Sequence, residues 1–103
     1  MNRIERIKRM EENLDVSAEA IAELSAALDK FEAAQPAWRK LSDYYGSVQW
    51  MRDFEADEAG KLPKDLKRGV LSEDAVYDLI TENRELMARM AKLVSNAIED
   101  NTL

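Results

Sequence analysis

Residues 7–38 read IKRMEENLDVSAEAIAELSAALDKFEAAQPAW, and their spacing decides the fold class. Ile7, Leu14, Ile21 and Leu28 recur every seven positions. Met10, Leu24, Phe31 and Trp38 lie on a second seven-residue series that also holds Ser17. Alternating steps of three and four place both series on one stripe of an α-helix, the seam along which helices pack. Charges such as Glu5, Arg9, Glu12, Glu19 and Glu23 fall off that stripe, and no proline or glycine occurs before Pro36. The spacing predicts a helix over about 3–34, roughly 45–50 Å long at 1.5 Å per residue. That exceeds the usual length for a small globular domain and implies a partner helix alongside. Ala18, Ala26, Ala27, Ala33 and Ala34 favour the helix and allow close approach where they face inward. Ser17 is a polar flaw on the stripe.

Pro36 lacks an amide proton and crowds the preceding turn, so a kinked continuation over 36–45 is expected, carrying Trp38, Leu41, Tyr44 and Tyr45 and ending at Gly46. The other end of the chain shows a second start signal. Ser72 is placed to cap a helix, Leu71 and Val76 to staple its entry, and Glu73 and Asp74 to sit in the first turn, where the helix dipole favours negative charge. An apolar stripe through Val76, Leu79, Ile80, Leu86, Met87, Met90, Leu93, Val94, Ala97 and Ile98 predicts a helix over 73–98. That stripe is wider than a single seam, so it must cover more than one neighbour. Asn83 interrupts it and reads as a register-fixing polar position.

Between the arms, Ser47 caps an expected short helix over 47–59, with Val48, Met51 and Phe54 on one face and Gly60 as its stop. A turn-rich connection, 60–71, follows. Pro63 opens a single turn there, and Gly69 is expected in a conformation closed to other residues. The fold expected is therefore all-α, one domain over 1–103: an antiparallel hairpin of long helices with a short helical insert packed across one end.

Composition narrows function. The formal charge is -6, with charged residues at 35% and apolar ones at 46%, a soluble balance. Residues 1–35 hold five basic and eight acidic side chains, residues 36–71 seven and six, and residues 72–103 three and seven. Two acidic arms disfavour phosphate backbones, which argues against nucleic acid as a main partner. Without cysteine or histidine, disulfides, thiolate catalysis, the commonest transition-metal ligand and the commonest general base near neutral pH are all missing. No apolar run is long enough to span a bilayer, and the basic N-terminal residues are not followed by a leader-like apolar segment. A cytoplasmic setting is the expectation.

Two clusters in the middle carry side chains capable of chemistry. Asp53, Glu55, Asp57 and Glu58 suggest a carboxylate- or metal-dependent enzyme, but a calcium loop starting at Asp53 would need glycine where Glu58 stands and glutamate where Lys64 stands. The basic residues Lys61, Lys64, Lys67 and Arg68 suggest a nucleic-acid-associated regulator. They are more economically read as charge complements of the acidic segments. Neither cluster brings a nucleophile or a phosphate loop, so no catalytic, cofactor-binding or metal residue, no cofactor and no small-molecule substrate are inferred.

The stretch from Tyr44 to Ile80, above all FEADEAGKLPKDLKRGVLSEDAVYDLI at 54–80, resembles the domain-of-unknown-function family DUF4298, as do Gln35–Pro36 and Glu82–Asn83. The resemblance covers nearly the whole chain. It implies an all-helical bacterial protein and carries no activity, substrate or cofactor. The expected role is a non-enzymatic interaction or adaptor module, with a protein partner or a second copy as in a homodimer. Tyr45, Trp50, Lys64 and Arg68 are the candidate interaction residues. The alternative for the aromatic rings is that they seal one end of the hairpin.

Overall fold

A computed structural model describes residues Met1–Leu103 and contains three α-helices, one 3₁₀ turn and no strand. Helix α1 runs Arg3–Tyr44, α2 Val48–Glu58 and α3 Ala75–Glu99, and the 3₁₀ turn is Gly69–Leu71. The chain divides into two units, Met1–Arg39 and Lys40–Leu103.

Met1–Arg39 is one helix, about 55 Å of it at the standard rise. It is capped by Asn2, whose Oδ1 accepts from the Glu5 amide at 2.9 Å. No residue of α1 is buried. Along the predicted stripe Ile7, Leu14 and Ile21 are 53%, 61% and 68% exposed, and Leu28 is 39% exposed. The cover that the heptad pattern calls for is not supplied within this unit.

The helix continues through Pro36 to Tyr44, close to the expected end of the continuation at 45. Pro36 leaves the Glu32 carbonyl without its amide donor. Around it, however, stand the strong helix formers Ala33, Ala34 and Ala37, and Gln35 Nε2 donates back to the Phe31 carbonyl at 3.3 Å. Local propensity thus outweighs a single missing bond.

Lys40–Leu103 holds the core: Trp50, Leu71 and Val76 are its buried apolar residues. Leu71 and Val76 are the pair expected to staple the entry to α3. The 3₁₀ turn packs against both α2 and α3 and so joins them. Each helix end in this unit is fixed by local chemistry. Ser47, extended at φ -73° and ψ 169°, accepts from the Trp50 amide and starts α2. At the other end of α2, Gly60 has φ +70°. The amides of Gly60 and Lys61 return to the carbonyls of Asp57 and Ala56, the pairing of a Schellman stop. Ser72 Oγ accepts from the Ala75 amide at 3.2 Å and donates to the Gly69 carbonyl at 2.8 Å, so it holds the first amide of α3, although the helix starts at Ala75 and leaves Glu73 and Asp74 ahead of its first turn. Asn101, at φ +56°, closes α3 in the way Gly60 closes α2.

One expectation falls at Gly69. Its backbone is not in the left-handed region, and a Cβ there would meet nothing within 4 Å. The 3₁₀ turn uses helical angles open to any residue. Asn83 is half-buried and makes no side-chain hydrogen bond within the chain, and no buried polar atom is left unpaired.

Ser47→Ala should cost the full-length protein about 1 kcal/mol through the lost cap. Gly60→Ala should cost about the same or more, because a Cβ is strained at positive φ. Gly69→Ala should be neutral or slightly stabilising. Urea unfolding followed by near-ultraviolet circular dichroism checks all three.

Candidate functional site

The residues singled out from the sequence converge on the short connection between α2 and α3. Trp50, one turn into α2, donates its indole N–H to the Val70 carbonyl in the 3₁₀ turn at 2.9 Å. Tyr45 meets the Trp50 ring edge-on, with centroids 5.2 Å apart and planes at 69°. Phe54, one turn further along α2, stacks on Trp50 at 5.2 Å and 18°. Tyr45 also donates its hydroxyl to the Glu73 carbonyl at 3.3 Å, which ties the end of α1 to the entry of α3. Aromatic pairs in these geometries are each worth about 0.5–1.5 kcal/mol beyond the area they bury. The rings form a clasp that closes the turn onto α2.

The predicted interaction residues take different places. Trp50 is buried, so its ring organises the interior of this unit. Tyr45 is half-buried, with its hydroxyl bonded to the Glu73 carbonyl and its ring against Trp50. The Lys64 side chain is exposed, and its carbonyl accepts from Arg68 Nη2 at 3.4 Å. Arg68 is engaged within the chain: its Nη1 lies 2.6 Å from Asp57 Oδ1, in the one ion pair present. The charge complementarity expected between connection and acidic cluster thus rests on this pair.

Asp53 is likewise satisfied. It accepts from the Tyr44 hydroxyl at 2.5 Å and from Gln49 Nε2 at 3.2 Å. Tyr44 was not singled out from the sequence for this role, since the bond crosses the Gly46 turn and no periodicity signals it. Glu55 and Glu58 are exposed, and no three carboxylates of the chain are grouped as a metal site. The bond to Asp53 pushes the Tyr44 hydroxyl up to about 12 from its usual 10, with burial and the nearby carboxylate charge adding in the same direction.

Two open cavities flank the clasp. The larger, about 440 Å³, is lined by Leu41, Val70, Val76 and Leu79 together with Lys67. The smaller, about 240 Å³, is lined by Tyr44, Asp53, Leu62, Leu66, Arg68 and Leu71, among others, with Asp53 its one carboxylate. Neither assembles a nucleophile beside a base. No helix is long and apolar enough to cross a membrane.

Comparison with known proteins gives one positive result. The sequence profile of a family described as "Domain of unknown function (DUF4298)" matches residues 7–93. No curated protein and no solved structure matches the chain.

The folded state holds the Tyr44 proton more tightly than the unfolded state does. Its contribution is therefore complete below about pH 10 and is lost as pH rises through about 12. The stability difference between wild type and Tyr44→Phe should shrink across that window, and one of the three tyrosines should titrate late by tyrosinate absorbance. A double-mutant cycle on Asp57→Asn and Arg68→Gln should give a coupling of about 0.2–1 kcal/mol, the range for a pair still reached by solvent.

Proposed function

We propose that this chain, which belongs to the DUF4298 family, is a non-catalytic cytoplasmic interaction module whose working surfaces are the apolar seams of its long helices. The observation that carries this reading is the stripe on α1. Ile7, Met10, Leu14, Ile21, Leu24 and Leu28 hold a heptad register and are all exposed. Contiguous apolar strips of this kind mark interaction surfaces in soluble proteins. Full burial of six such side chains is worth on the order of 10 kcal/mol, comparable with the stability of a whole domain. A force of that size favours a covered state.

The cover that fits is another long helix. The broad face of α3 offers Ile80, Met87 and Val94 in a matching seven-residue row. Antiparallel pairing of the two arms as a hairpin opposes their dipoles and hides both seams. In this reading the aromatic clasp is scaffold: it sets how α3 leaves the connection, the seams hold the arms together, and the apolar flanks they leave open do the recognising.

Hydrogen exchange of the full-length protein tests the reading. Amides across 7–28 should exchange about two orders of magnitude more slowly than an unstructured chain, as covered helices do. Leu14→Glu with Ile21→Glu should remove that protection and lower protection in the arm that covers it. Fast exchange along 7–28 in the wild type would contradict the proposal.

A further inference from the structure

We infer that α3 carries a second, self-complementary seam, through which it pairs antiparallel with α3 of a second copy of this chain about a two-fold axis at Leu86. The inference rests on the interaction-module reading and names its partner. Leu79, Leu86 and Leu93 are seven residues apart, so they lie in one row along α3. They are 44%, 43% and 61% exposed. The adjacent row, Val76, Asn83, Met90 and Ala97, is buried or half-buried. The leucines are thus the outer flank of the apolar face of α3, on the side away from the row Ile80, Met87 and Val94.

Beyond the leucine row stand Glu82 and Arg89, also seven apart, both exposed and neither in an ion pair. Their placement selects the orientation of the second copy. In an antiparallel pair centred on Leu86, residues equally far from it on either side come level. Leu79 then meets Leu93 of the second copy, and Leu86 meets its own equivalent. Glu82 lies four residues before the axis and Arg89 three after it, so they come within about one residue's rise, 1.5 Å, of level. The pairing is made twice, once on each side of the axis. A parallel pair would instead put the Glu82–Arg89 flanks of the two copies on opposite sides of the seam, where they cannot pair with each other, and set the two dipoles side by side. The antiparallel arrangement is isologous, so it closes as a dimer and does not propagate.

The chain has no cysteine, so single-cysteine variants report contacts directly. Leu86→Cys should form a disulfide-linked dimer on mild oxidation. Leu79→Cys and Leu93→Cys should link to each other when mixed and much less when alone. By sedimentation, Glu82→Arg and Arg89→Glu should each weaken self-association by on the order of tenfold, since each replaces two attractions with two repulsions. An equimolar mixture of these two variants, or both changes in one chain, should restore it. A wild type that stays monomeric at all concentrations overturns the inference, and the exchange of α1 then decides the module reading on its own. A dimer indifferent to both charge reversals also overturns it, while the module reading stands.

Discussion

The hydrogen bond from the Trp50 indole to the Val70 carbonyl is the constraint on which the Lys40–Leu103 unit depends. Only Trp50, Leu71 and Val76 are buried apolar residues there, so undirected burial supplies little of the order. A directional bond inside a stack of rings supplies it instead. The Val70 carbonyl sits in the 3₁₀ turn that touches both α2 and α3, and losing its donor would cost about 0.5–1.5 kcal/mol, the net value of a typical hydrogen bond. The caps at Ser47, Gly60 and Ser72 then limit where each helix starts and stops, which brings Trp50 and Val70 into register.

This arrangement divides labour between the middle of the chain and its arms. The middle consumes its own chemistry: Tyr44 and Gln49 satisfy Asp53, Arg68 satisfies Asp57, and Tyr45 and Phe54 enclose Trp50. The arms keep theirs on the surface, with heptad residues on α1 and a leucine row on α3 open to solvent. A scaffold that is internally satisfied beside seams that are not is the physical basis for reading the protein as a module that associates. Membership of a family of unknown function adds no activity to that reading.

What the sequence made legible was local. Ser47, Gly60 and Ser72 announce helix ends through bonds that span three to five residues, and Leu71 and Val76 announce a staple at a fixed offset. The seven-residue recurrence from Ile7 to Leu28 announces a helix and its face. At Pro36 the helix continues because proline removes one bond, whereas the run of alanines around it acts together. The bonds of Trp50 to Val70 and of Tyr44 to Asp53 join elements across turns, where no spacing rule applies. Nor could the pattern say what covers a seam: a heptad stripe specifies that a helix needs a neighbour, and the same residues serve a neighbour in the same chain or in another.

The exchange rate of the Trp50 indole proton, measured by nuclear magnetic resonance on the full-length protein with Trp38 as internal reference, tests the account at its centre. The structure gives the Trp50 indole a bonded, buried site and gives the half-buried Trp38 indole no partner. The account predicts a Trp50 proton that exchanges far more slowly than that of Trp38 and loses this protection together with the tertiary signal of Lys40–Leu103. Equal, fast exchange of both indole protons in an otherwise folded protein would contradict it.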